Sequence, residues 1–179
     1  MKAAELKAKG VMLAPYAQEH DRQTVLWLNT EELRNAFGIT QKVTLESHRS
    51  WIEAAKDTVA WAIITPERGH CGNTLLHCNP RHRSAYFQIY LGDPAARGQG
   101  IGTAALRAVL HHAFTALSLH RVWLHTLHGS ESAERLYRAA GFVEEGLERE
   151  SILRRDRFDS QRRWSILAPE WNAADGESR

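Results

Sequence analysis

Seven consecutive residues, Arg97-Gly98-Gln99-Gly100-Ile101-Gly102-Thr103, place three glycines and a cation where a strand hands over to a helix. Before them, Ser84–Leu91 (SAYFQIYL) is rich in aromatic and β-branched residues and predicts a strand. After them, Leu106, Val109, Leu110, Ala113 and Leu117 recur at helical spacing, predicting a helix over 104–117. Glycines let a backbone approach a ligand closely, and the unpaired N–H groups of a first helical turn point at it. An anion held there gains about 0.3–1 kcal/mol from the helix dipole. The stretch therefore proposes a phosphate or pyrophosphate site. It is not a P-loop, because no Lys follows any of the glycines. A dinucleotide fingerprint can be fitted to Gly100–Ala105, but the next strand, 121–126 (RVWLHT), ends without the acid that would hold a ribose. On this stretch alone, a plain glycine turn capping a core helix stays open.

The elements that must position this turn can be read in order. Val11–Pro15 (VMLAP) suits a first strand, and residues 17–36 predict one helix closed by Gly38. Thr44 starts a second helix with Leu45, His48, Trp51, Ile52 and Ala55 on one face, although Thr44-Leu-Glu-Ser47 is not a strict capping box. Thr58–Thr65 and Cys71–Cys78 read as a hairpin around Pro66–Gly69, and Asn79-Pro80 turns the chain into the strand at 84–91. Ser130 is a candidate N-cap for a helix with Ala133, Leu136, Tyr137 and Ala140 on its apolar face, ended by Gly141-Phe142. Val143–Leu153 and Phe158–Leu167 are two closing strands joined through 154–157, and Pro169–Arg179 is polar enough to be a flexible tail.

Two of these segments carry a resemblance. Arg97-x-x-Gly100-x-Gly102 is similar to the signature with which GNAT-superfamily N-acetyltransferases hold the pyrophosphate of acetyl-CoA. One helix and one strand later, Ser130-x-x-Ala133-x-x-x-Tyr137-x-x-x-Gly141-Phe142 resembles the second pattern of that superfamily, in the required order. Trp27-Leu-Asn29, Gly72-Asn73 and the closing hairpin at 143–167 look like the branch of ribosomal-protein N-terminal acetyltransferases and polyamine acetyltransferases. The resemblance implies an α/β fold with a mixed central sheet of about seven strands flanked by helices. It spans 11–168, with an extension at 1–10 and a flexible tail at 169–179.

The resemblance also implies roles. Acetyl-CoA would be the co-substrate, held by Arg97, Gly98, Gln99, Gly100, Ile101, Gly102 and Thr103, with its pantetheine arm along the backbone of Ile89, Tyr90 and Leu91. Ser130 and Ala133 would contact it from the second motif, and Tyr137 would protonate the departing CoA sulfur. Read without the motif, Tyr137 is as well explained as a core aromatic. Ser130 stands where the pattern has Asn, implying a weaker contact, and Tyr86 stands where many relatives have a glutamate, which puts a polyamine acceptor in doubt. Trp27, Glu32, Tyr86 and His125 are the candidate acceptor-binding residues, and Glu31, Glu32, His48, Tyr86 and His125 are the candidate bases. Of Trp27, Trp51 and Trp61, core packing is expected for at least two.

Composition narrows the rest. At 179 residues, 43% hydrophobic, 25% charged and with net charge +2, the chain reads as one ordinary globular domain. That charge is too mild to indicate a nucleic-acid partner. No apolar run reaches membrane-spanning length, and Cys71 and Cys78 make no disulfide framework, so a cytoplasmic enzyme without a membrane partner is expected. No metal is expected, since no His or Cys spacing matches a zinc site. Arginines at 149, 154, 155, 157, 162 and 163 read as a solvated hairpin or as a rim for an acidic partner. The chemistry expected is direct attack of a primary amine on the thioester, since no cysteine lies in either motif. A protein N-terminal α-amine leads, followed by a nucleotide amino-sugar, an aminoglycoside or a polyamine; a homodimer is common among relatives. A non-catalytic acyl-CoA sensor on the same fold is the reading of another class.

Overall fold

Ser84–Leu91 forms a strand over the residues its composition predicts, and the sheet extends on both sides of it. The computed structural model describes residues 3–171. Its strands are β1 (Leu6–Ala8), β2 (Val11–Pro15), β3 (Thr58–Thr65), β4 (Gly69–Asn79), β5 (Ser84–Leu91), β6 (Arg121–Leu127), β7 (Val143–Arg154) and β8 (Arg157–Leu167). They form one sheet in the order β1-β2-β3-β4-β5-β6-β8-β7, antiparallel throughout except for the parallel pair β5–β6. The sheet has eight strands rather than about seven, because Leu6–Ala8, within the segment read as an extension, adds an edge strand on β2.

Among the described residues the two faces are covered by the helices α1 (Asp21–Leu28), α2 (Glu31–Phe37), α3 (Leu45–Ala54), α4 (Ile101–Thr115) and α5 (Glu131–Ala139). The period of two along the strands separates the faces. Val59, Trp61 and Ile63 of β3, Leu76 of β4, Ala85 and Phe87 of β5 and Val122 and Leu124 of β6 join the main core. Into it α4 buries Leu106, Val109, Leu110 and Ala113 completely, as its 3.6-residue spacing demands. On the opposite face, Ala60, Leu75, Gln88 and Tyr90 look into a cavity shared with residues of α1, α2 and α3.

Local chemistry sets several boundaries away from the sequence reading. The single helix expected at 17–36 is a short 3-10 turn at Gln18–His20 followed by two helices. Asn29 spends its amide on the carbonyls of Val25 and Val43, and Thr30 caps α2 by accepting from the Leu33 N–H, so side chains replace the continuous backbone ladder there. Gly38 ends α2 in the left-handed region as expected. Thr44 and Ser47 do form a reciprocal capping box at the start of α3, with serine in the place of the usual glutamate. α4 begins at Ile101, three residues before the expected start, because Gly100 at φ 77° ends the turn immediately ahead of it. Residues 168–171 are helical and Trp171 is buried with its ring 6.2 Å from that of Phe114, so packed chain continues past 168. The rest of the expected tail, 172–179, lies outside the described residues.

Candidate active site: a split sheet beside an uncharged cavity

β5 and β6 are paired only through Ser84–Tyr86 and Arg121–Trp123. Beyond Tyr86, β5 continues with β4 as far as Leu91, and β6 continues with β8 as far as Leu127. Their facing edges, 87–91 and 124–127, are left without a strand partner among the described residues. The two strands are parallel, so the split opens toward their C-terminal ends, where the chain leaves for α4 and α5. Ligands of α/β sheets bind at such a position. Nothing in the strand sequences announces the split.

The glycine turn sits at that end. Asp93 caps a 3-10 turn at Pro94–Ala96 by accepting from the Ala95 N–H, and Gln99 donates to the Ala95 carbonyl at 2.7 Å. Gly98 and Gly100 both hold positive φ, 71° and 77°, which only glycine adopts without strain. No side chain caps α4. A Cβ built at Gly102 meets no atom within 4 Å, so the start of the helix faces open space. Its first-turn N–H groups therefore have no side-chain cap, and groups of this kind can hold an anion. Arg97 leads from the 3-10 turn into the glycines. Its guanidinium donates to the Leu91 carbonyl and lies 2.6 Å from Glu32, so its charge is already partnered. The same contact occupies the Leu91 carbonyl that was expected to face the pantetheine arm.

The second motif stands on α5. Ser130 occupies the cap position but makes no side-chain cap bond, contrary to the N-cap role expected; its ψ of 68° does not aim the hydroxyl at the N–H groups of α5. Ala133 packs half-buried against the core. Tyr137 is buried, with its ring edge-on to Phe142 at 5.5 Å. Burial, together with the nearby Tyr86 hydroxyl, pushes the Tyr137 phenol well above the usual tyrosine range, so its proton is retained at neutral pH. The burial and the Phe142 contact are those of a core aromatic that still carries its phenolic proton.

Alongside the split, α1–α3 and β3–β5 enclose a cavity of about 340 Å³. Leu28, Phe37, Ile39, Val43, Trp51 and Leu75 make its apolar wall. One pole is polar: Asn73 donates to Thr24 Oγ1 at 2.8 Å and to Tyr90 Oη at 2.7 Å, and its Oδ1 lies 2.8 Å from His70 Nε2. Beside it the Tyr16 hydroxyl lies 2.9 Å from His48 Nε2 and donates to Asp21 at 3.2 Å, while Arg49 holds the other oxygen of Asp21 at 2.9 Å. Burial lowers the His48 pKa despite the pull of Asp21, which favours a neutral imidazole.

The residues expected to bind the acceptor are not gathered at this cavity. Trp27 is buried against Gly92 and His70, and Trp61 is fully buried, its indole donating to the Ala4 carbonyl; of the three tryptophans only Trp51 reaches the cavity wall. Glu32 is tied to Arg97 and Glu31 to Arg155 on the surface. The Tyr86 ring lies tilted against Trp123 with centroids 4.7 Å apart, and His125 lies 3.0 Å from Glu148. Of the candidate bases only His48 lines the cavity. Tyr16, Asn73 and Tyr90 line the cavity without any local sequence signal that marks their side chains, beyond the Gly72-Asn73 pair of the resemblance. Five of the six hairpin arginines are paired: Arg154 and Arg157 with Asp159, Arg155 with Glu31, Arg162 with Glu144 and Arg163 with Glu148. Among the described residues, no group of three or more His, Cys, Asp or Glu could hold a metal ion, and no helix is long and apolar enough to cross a membrane.

The acetyltransferase (GNAT) domain model matches residues 11–143, a span holding the glycine turn, the split and Tyr137. The chain belongs to the GNAT acetyltransferase family. Among curated GNAT relatives, the spermidine N(1)-acetyltransferase of Vibrio cholerae is 37% identical over 93 residues, 52% of this chain and 53% of that protein. The Escherichia coli spermidine N(1)-acetyltransferase is 36% identical over 72 residues, 40% of this chain and 38% of that protein. These matches span about half or less of the relatives' length. The human alpha/beta-tubulin-N-acetyltransferase 9 is 25% identical over 182 residues, covering 90% of this chain and 87% of that protein. The GNAT fold is shared over nearly the whole chain with the crystal structure of Vibrio cholerae spermidine N-acetyltransferase in complex with CoA and spermine: TM-score 0.85, 23% identity, 92% of this chain and 99% of that one.

Proposed function

We propose that this chain transfers the acetyl group of acetyl-CoA to the primary amine of a small molecule. The observation that carries the reading is the split between β5 and β6, with the uncapped start of α4 at its open end and Tyr137 beside Tyr86, the last paired residue before it. The CoA pyrophosphate would rest on the N–H groups of residues 101–103, the pantetheine arm along the unpaired edge of β5, and Ser130 beside it. The amine nitrogen attacks the thioester carbonyl carbon, and the oxyanion takes a hydrogen bond from a backbone N–H of that edge, a contact worth roughly 3–4 kcal/mol in enzymes of comparable chemistry. The C–S bond then breaks. Tyr137 gives its proton to the departing sulfur and recovers one that the attacking nitrogen sheds, so the chain ends unchanged.

A small-molecule acceptor is favoured over the protein N-terminus that leads from sequence. The cavity is compact and lies under three helices, and the relatives named for an acceptor at 36–37% identity are named for spermidine. A protein acceptor remains the second reading, because the human tubulin acetyltransferase aligns with most of the chain. The two buried cysteines, with no disulfide between them, support a reducing compartment. The test is release of CoA thiol from acetyl-CoA with spermidine, a simple monoamine, an aminoglycoside, a nucleotide amino-sugar and N-terminal peptides. Turnover of a small amine without turnover of peptides is the expected result. Turnover of peptides alone would replace it by the second reading.

A further inference from the structure

The cavity beside the split carries no formal charge on its walls. None of the residues lining it is Asp, Glu, Lys or Arg. The nearest carboxylate in its polar pole, Asp21, stands behind Tyr16 with one oxygen accepting from the Tyr16 hydroxyl and the other held by Arg49. Several of the remaining polar side chains already hold hydrogen bonds. Asn73 is bonded through both ends of its amide, Gln88 Oε1 lies 2.9 Å from His77 Nε2, and the Tyr16 hydroxyl bridges His48 and Asp21. An ammonium group placed among Leu28, Phe37, Val43, Trp51 and Leu75 would lose water and find no carboxylate on the walls to offset the loss. An uncharged hydrocarbon or ring placed there would gain by burial.

We infer that the acceptor is a monoamine whose body is uncharged and mainly apolar, its reacting nitrogen toward the β5 edge and its body in this cavity. The inference rests on the acetyltransferase reading and narrows its substrate class. It separates this chain from relatives named for spermidine, whose acceptor carries more than one amine. Tyr86, also on β5, adds no carboxylate to that strand.

The matched pair of hexylamine and 1,6-diaminohexane tests this, since the two differ by one terminal ammonium on the same chain. With the full-length enzyme and acetyl-CoA, kcat/KM for hexylamine is expected to exceed that for 1,6-diaminohexane and for spermidine at least tenfold. Equal or better use of either polyamine overturns the inference while leaving the acetyltransferase reading intact. Calorimetry on the CoA-bound protein gives a readout independent of turnover. Hexylamine binding at least tenfold tighter than the diamine upholds the cavity assignment even if no amine is acetylated, an outcome that would sink the catalytic reading alone. No binding of hexylamine overturns the inference. A carboxylate added to the wall by Val43→Asp, at the partly exposed rim, or by Leu75→Glu, deeper in, should shift the preference toward the diamine at least fivefold. An unchanged ratio in a folded variant counts against it.

Discussion

Gly92 lies against the face of the Trp27 indole, so close that a Cβ built at Gly92 would sit 2.0 Å from Trp27 Cδ2. This approach seats α1 on the strand end that leads into the glycine turn, and it explains why Trp27 belongs to the packing rather than to the acceptor cavity. Gly92→Ala must displace the indole, an overpacking cost of about 1–3 kcal/mol. A urea denaturation midpoint lowered accordingly is expected, and an unchanged midpoint would mean that α1 is not held there.

Gly102 is the opposite case. No atom of the protein lies within 4 Å of a Cβ there, and its backbone angle is not of the kind reserved for glycine. Alanine should leave folding unharmed or raise stability by up to about 1 kcal/mol through helix propensity. A carboxylate placed there by Gly102→Asp would repel the CoA phosphates proposed to lie ahead of the helix, so the Kd for acetyl-CoA measured by calorimetry is expected to rise at least tenfold in that variant. Undiminished binding would place the cofactor elsewhere.

Tyr137→Phe keeps the ring that packs on Phe142 and removes only the hydroxyl. The expected outcome is a kcat lowered tenfold or more, about 1.4 kcal/mol, with acetyl-CoA affinity and thermal stability nearly unchanged. A large loss of stability with kcat retained would assign the residue to the core alone.

Burial raises the pKa of Tyr16, Tyr90 and Tyr137, with Tyr90 pushed up to about 12. The folded chain keeps these protons where the unfolded chain loses them, near pH ~10. Stability is therefore fully present below that pH and falls as pH rises above it. Urea midpoints measured from pH 8 to 11.5 should decline steeply in the upper part of the range, and less steeply in Tyr90→Phe.

Glu145 shows the acid counterpart. Hydrogen bonds from Arg121 hold its carboxyl down to about 2, aided by Ser165 and against partial desolvation. A depressed pKa stabilises the fold above the ordinary 4.5 and loses that contribution as pH falls toward about 2. Glu145→Gln should be less stable than the parent near pH 7, with the gap closing between pH 4.5 and 2 in chemical denaturation.

The sequence by itself determined the parts governed by neighbours a few residues apart. The β5 strand, the glycine turn between strand and helix, the helical face of α4 and the place of Tyr137 on α5 all follow from residue type and period, because backbone sterics and amphipathic burial act locally. The two motifs were legible for the same reason, and they were enough to reach the family. Only the tertiary structure decided what depends on distant partners. The split between β5 and β6 arises because each strand keeps a different neighbour beyond Tyr86. Arg97 is spent on Glu32, 65 residues away, and Arg155 on Glu31, 124 residues away, so neither charge could be judged from its own segment. The uncharged cavity is assembled from three helices and three strands, and its chemistry exists only once they enclose it.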